Sequence, residues 1–152
     1  VVLGGNFPLE FRLAQIRRQL RPGIVIKLLR RMDDGQFHEK RFLVVHIGDT
    51  AIACVINSRV SKFIYNRPEL YRCQVLMTAS DHGFMDHDSH VDCSRTRHYA
   101  IEAVLRDLCE QPDWILGEVS VALRVDVVSA LRAAATLPIT EVELICRSLE
   151  SL

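Results

Sequence analysis

Lys40-Arg41-Phe42-Leu43-Val44-Val45-His46-Ile47-Gly48-Asp49-Thr50-Ala51-Ile52-Ala53-Cys54-Val55-Ile56-Asn57-Ser58 decides how this chain folds. Two apolar, β-branched runs flank Gly48-Asp49, a pairing that predicts a hairpin with a tight turn. The first run is apolar nearly throughout, so both of its faces should be covered. Antiparallel pairing across the turn brings the entry of the first strand beside the exit of the second. Arg41 and Ser58, distant along the chain, should therefore share one end of a sheet. A guanidinium there can stabilise charge on a phosphate, and a hydroxyl can orient it. Lys40, Asn57 and Arg59 are the supporting polar residues. Proton transfer needs a third group, and His38, Glu39 and His46 are all in range of the hairpin.

Upstream, Leu9, Leu13, Ile16 and Leu20 recur at helical spacing, with Pro8 suited to a first turn and Pro22-Gly23 as the stop. Ile24–Leu29 reads as a strand, and Arg30 to Gln36 as a turn pivoting on Asp34-Gly35. Downstream, Val60 to Tyr71 is mixed and interrupted by Pro68, which predicts a loop. Phe63 and Tyr65 in it, with Phe37 and Tyr71, are the residues suited to base stacking. Gln74–Thr78 predicts a strand, and Val91-Asp92-Cys93 a brief extended piece. Ile101, Val104, Leu105 and Leu108 predict a helix ended by Pro112. Trp114 to Val119 is a short strand or turn. Ser120 caps a helix with the stripe Leu123, Val127, Ala130, Leu131 and Ala134. Thr140 and Glu143 form a capping box for a last helix over about 140–150. Strands early and helices late point to one α+β domain over 1–152. Its expected core is a small, strongly curved sheet or barrel with helices against it.

The chain has 152 residues and zero formal net charge, but the charge is unevenly placed. Residues 1–72 carry 13 Lys/Arg and 6 Asp/Glu, a net of +7, and the remainder carries −7. The basic half suits a phosphate-rich partner, with Arg17, Arg18, Arg21, Lys27, Arg30 and Arg31 as further candidates. Equally, the halves could neutralise each other on folding. The five cysteines (Cys54, Cys73, Cys93, Cys109, Cys146) are scattered and lack CxxC spacing, which favours reduced thiols in a cytoplasmic protein over a disulfide framework. Cys54 and Cys146 fall within apolar patterns and read as packing residues. Val1-Val2-Leu3-Gly4-Gly5 is too short and uncharged for a signal peptide, and no apolar run is long enough to span a membrane. The stretch from Asp81 to Cys93 holds His82, Asp86, His87, Asp88, His90 and Asp92. These types suit a transition metal, and Asp86, Asp88, His90 and Asp92 would share a face if extended. No recognised metal spacing is present, however, and a solvated or groove-lining segment is the plainer reading.

From about Pro22 to Ala135 the chain resembles the MazF/PemK-type endoribonuclease toxins of bacterial toxin–antitoxin systems. The resemblance rests on Pro22-Gly23-Ile24-Val25, Lys40-Arg41 before Leu43-Val44-Val45, and Asn57-Ser58 at a strand exit. It continues in Asp88-Ser89-His90-Val91-Asp92-Cys93 and Gly117-Glu118-Val119-Ser120. It implies an SH3-like barrel, a homodimer, an antitoxin partner, and cleavage of single-stranded RNA without a metal or other cofactor. It also implies catalytic roles for Arg41 and Ser58. The family typically has proline after this arginine, where this chain has Phe42. The rival classes are a nucleic-acid-binding module without catalysis and a protein-interaction module using the charge-split surface.

Overall fold

A computed structural model describes residues 8–152, so Val1 to Gly5 lie outside the described residues. Helix α1 (Leu9–Gln19) leads into β1 (Ile24–Arg31), β2 (Phe37–Ile47) and β3 (Thr50–Asn57). Two four-residue helices follow, α2 (Lys62–Tyr65) and α3 (Pro68–Tyr71), then β4 (Gln74–Met77), β5 (Ser89–Asp92) and β6 (Arg97–Ala100). The chain closes with α4 (Ile101–Glu110), β7 (Ile115–Glu118), α5 (Val121–Ala133) and α6 (Ile139–Glu150). The architecture is α+β. Among the described residues, seven antiparallel strands form one sheet in the order β4-β5-β3-β2-β1-β7, with β6 pairing the turn end of β3. Among the described residues, no helix is long and apolar enough to cross a membrane.

Both faces of the central hairpin are covered, as its composition requires. Phe42, Leu43, Val44 and Val45 have no solvent exposure. Side chains alternate along a strand, so Leu43 and Val45 enter one apolar cluster, with Val25, Cys54 and Ile56 and the inner faces of α5 and α6. Phe42 and Val44 enter a second, with Ile26, Leu28 and the inner faces of α1 and α4. Ile16 and Leu20 of the α1 stripe are seated there with Leu13 against them, whereas Leu9, in the first turn, stays half-exposed. One extra residue in β2 between Val44 and His46 forms a bulge, and it sets the register of the Arg41 end.

Several local expectations give way to longer-range pairing. Arg30 and Arg31 continue β1, opposite His38 and Phe37, because Arg31 lies over the Phe37 ring and Arg30 pairs Asp107 at 2.7 Å. The turn contracts to Met32–Gln36, where Gly35 takes φ of 78°. Val60 to Tyr71 is not a loop. Ser61 accepts from the Ile64 N–H and starts α2, and Pro68 opens α3. The capping box at Thr140 and Glu143 does not form. The last helix starts at Ile139 with Pro138 at its N-cap, so Thr140 is already inside it. Ser120 does cap α5, accepting from the Leu123 N–H at 3.1 Å, a bond worth about 1 kcal/mol.

All five cysteines are buried and free. The Cys54 thiol, hydrogen-bonded to Cys93, and then burial itself push the Cys93 thiol well above its usual range, which keeps it protonated. Charge from the two halves meets in Arg21–Glu118, Arg30–Asp107 and Arg41–Asp86. Mutual neutralisation is therefore part of the folded state.

His46, near the turn end of β2, bonds the Ser148 hydroxyl of α6. Burial lowers its pKa from the ordinary 6.5 by disfavouring the cation. Below about pH 6.5 the unfolded chain takes up a proton that the folded chain refuses, so His46 subtracts stability as pH falls through that value toward its lower folded one. Melting midpoints followed from pH 7 to pH 5 should fall more gently in His46→Gln than in the parent. Parallel curves would show that another group carries the pH dependence.

Candidate functional site

The register of the three central strands places Lys27, Arg41 and Ile56 on one rung. Opposite residues on antiparallel strands project to the same face. By continuation, Glu39 stands opposite Ser58 and Lys40 opposite Asn57. Two steps of alternation therefore put Glu39, Arg41 and Ser58 on one face and Lys40 and Asn57 on the other.

Arg41 and Ser58 line a single polar depression of about 280 Å³, together with Lys27, Glu39, His87 and Ser89. Arg41 is half-sunk, its side chain 25% exposed, with Nε buried and without a hydrogen-bond partner among the described residues. One terminal nitrogen donates to Asp86 Oδ2 at 3.1 Å. A small concavity with a fixed guanidinium, an ammonium and hydroxyls is suited to an oxyanion.

Asp86 and His87 arrive on the connection between β4 and β5, and that connection is anchored. Asp88 Oδ1 accepts from the Ala79 N–H at 2.8 Å, across its mouth. The buried His82 bonds the Thr78 carbonyl through Nδ1 at 2.9 Å. Its Nε2 accepts from the Ser120 N–H at 3.0 Å, leading into α5. Met85 is buried, and Phe84 lies so close over Gly117 that a Cβ there would sit 2.3 Å from the ring. Only glycine at 117 admits this seat.

Asp86 is itself 81% exposed, so its pair with Arg41 is weakly stabilising, at about 0–1 kcal/mol. It does, however, present a carboxylate where an anionic ligand would approach. If the depression takes a phosphate-bearing ligand, Asp86→Asn should tighten binding of a labelled short oligonucleotide by about two- to fivefold, measured by fluorescence anisotropy. Weaker binding in that variant would mean that Asp86 positions Arg41 rather than competing for it.

The supporting residues are divided by the sheet. Lys40, Asn57 and Arg59 line a second depression of about 470 Å³, with His38, Arg95 and Arg97. Lys40 also borders the first, but its ammonium donates to Asn57 Oδ1 at 3.0 Å, and burial lowers its pKa. Arg95 and Arg97 are both held by Asp33, at 2.9 and 3.2 Å. An adjoining hollow of about 660 Å³ reaches Phe63. Phe63 is exposed, but Arg67 stacks on its ring at 3.5 Å. Tyr65 is exposed and meets Tyr71 edge-on at 5.4 Å. The expected single cluster of Arg41, Ser58, Lys40, Asn57 and Arg59 is thus two sites, one on each face.

The candidate proton carriers separate as well. His46 lies at the turn end of β2, and His38 is paired to Asp34 at 2.7 Å in the second depression. Of the three only Glu39 borders Arg41 and Ser58, and it reaches the second depression as well. The His/Asp stretch does not share one face, because only Ser89–Asp92 is extended. Asp92 bonds Gln74 and Ser94, Asp88 bonds backbone, and His82 is committed to Thr78 and Ser120. Among the described residues, no three His, Cys, Asp or Glu side chains converge as metal ligands.

No family model matches this chain. No curated protein matches it either. The site is therefore read from its own chemistry, and Lys27, Asp86, His87 and Ser89 are the members that sequence reasoning did not assign to it. Lys27 was legible as the cross-strand neighbour of Arg41 once the register was known. Asp86 and His87 stand out in sequence only as part of a polar, groove-lining stretch, and their meeting with Arg41 carries no local signal, because the 45-residue separation between Arg41 and Asp86 is closed only by tertiary packing.

Proposed function

We propose that this protein is a metal-independent endoribonuclease that cleaves single-stranded RNA. The observation that carries the reading is the shared depression of Arg41, Ser58 and Lys27. In-line attack of a ribose 2′-oxygen on the adjacent phosphate builds negative charge on the non-bridging oxygens. Arg41 and Lys27 are cationic groups available to stabilise that charge, and the Ser58 hydroxyl can hold the phosphate in register for attack. On this reading Lys40, Asn57, Arg59, Phe63 and Tyr65 bind flanking nucleotides beyond the sheet end. The reading carries with it the rest of the MazF/PemK resemblance: an SH3-like barrel, a homodimer, an antitoxin partner and action in the cytoplasm. The barrel draws support from the strong antiparallel pairing of β1, β2 and β3, with β7 returning to the outer edge of β1.

The test is incubation of purified protein with a long RNA, with and without a chelator. Discrete fragments ending in 2′,3′-cyclic phosphate and 5′-hydroxyl, unchanged by the chelator, are expected. Intact RNA over hours would reject the reading. A second reading, nucleic-acid binding without cleavage, draws on the Asp86 carboxylate that engages Arg41. It would show salt-dependent binding with no products.

A further inference from the structure

The ribonuclease reading, on which this inference rests, leaves the proton-transfer group unassigned. His87 lines the same depression as Arg41 and Ser58. Its Nδ1 lies 3.1 Å from the Asp88 carbonyl oxygen and 3.2 Å from Ser89 Oγ. A carbonyl can only accept, so Nδ1 carries the hydrogen and Nε2 keeps its lone pair. The imidazole is thus held in the tautomer that a general base requires, with Nε2 as its basic atom. Lys27, Lys40 and Arg41 border the site as cations, and Glu39 is the one carboxylate in its lining; like His87 it is exposed, but its side chain makes no hydrogen bond or ion pair among the described residues. A base without a positioning partner has no fixed direction of attack.

We propose that His87 is the general base of the reaction. Nε2 takes the proton from a ribose 2′-hydroxyl as the 2′-oxygen bonds phosphorus. The P–O5′ bond breaks, its electron pair leaves with the 5′-oxygen, and that oxygen takes a proton from water. The products are a 2′,3′-cyclic phosphate and a 5′-hydroxyl, and the imidazolium returns its proton to solvent. The connection bearing His87 is pinned through Asp88 to Ala79, through His82 to Ser120 and by Phe84 over Gly117. That anchoring holds the connection beside the site without help from the substrate, and the exposed ring is oriented on it by Asp88 and Ser89.

The experiment compares the parent with His87→Ala, His87→Gln, Glu39→Gln and Arg41→Ala, on one long RNA under single-turnover conditions. Binding of an uncleavable 2′-deoxy oligonucleotide is followed alongside. Both His87 variants should cleave about a hundred- to ten-thousand-fold more slowly, with oligonucleotide affinity within about threefold of the parent. Free imidazole should restore part of the rate in His87→Ala, a rescue that a purely structural role would not give. Glu39→Gln should lose less than tenfold. Parent-like cleavage by His87→Ala beside an inactive Arg41→Ala would overturn the assignment and leave the ribonuclease reading standing. So would loss of activity in Glu39→Gln with retention in His87→Ala, or an equal fall in binding and rate. A parent enzyme that leaves RNA intact would overturn both.

Discussion

Replacing Arg41 with alanine is expected, on the proposed ribonuclease reading, to slow RNA cleavage by about a hundred- to a thousand-fold while leaving the fold intact. The expectation follows from where the guanidinium sits. Its side chain is three-quarters covered, and its backbone is fixed between β1 and β3. Such a group meets developing charge without reorganising, and partial burial strengthens the interaction relative to bulk water. The fold should survive because Arg41 lies at the rim of its face, beyond Leu43, and loses only a weak pair with Asp86. Arg41→Lys should recover little of the activity. It keeps the charge but not the planar fork that can grip two phosphate oxygens. The measurement is single-turnover cleavage with a melting curve for each variant. Parent-like rates in a folded Arg41→Ala would remove Arg41 from the mechanism.

The largest effect on stability is expected one residue further on. Phe42→Ala should destabilise the protein by about 3–5 kcal/mol, a large share of a typical domain's 5–15 kcal/mol. Phe42 has no solvent exposure and pairs with Ile26 on one side and Val55 on the other. Its ring also meets Tyr99 edge-on at 5.6 Å. Strands on both sides and α4 above limit how far the cavity could collapse, which favours the upper part of the range. Urea unfolding at neutral pH would measure it. A loss under about 1 kcal/mol would mean that this face repacks freely. Phe42 also has a functional consequence through alternation. By committing to the α1/α4 side, it obliges its neighbour Arg41 to the opposite face, where Ser58 follows.

Much of this arrangement was readable from residue types and spacing. The hairpin, the α1 stripe, α4 before Pro112 and the Ser120-capped α5 all follow from apolar periodicity and local stop signals, interactions spanning a few residues. The register at Arg41 was readable for a less obvious reason. The bulge at Val45 compensates for a wider turn, so the naive pairing across Gly48-Asp49 still holds at Arg41↔Ile56. Misreadings arose where a remote partner outweighed local preference. Arg30-Arg31 has the local chemistry of a turn, yet Asp107 and Phe37 hold it in a strand. β6 has too short a pattern to announce itself and exists because β3 offers it an edge.

The sequence by itself determined that Arg41 and Ser58 share one end of an antiparallel pair, because strand alternation and a tight turn are local properties of the chain. The tertiary structure alone decided which groups join them. It turned Lys40, Asn57 and Arg59 to the other face and sent His38 and His46 elsewhere. It also brought Asp86 and His87 in on a connection pinned to α5. No sequence spacing encodes that last step, since the contacts that fix it are buried bonds and ring packing between segments far apart in the chain.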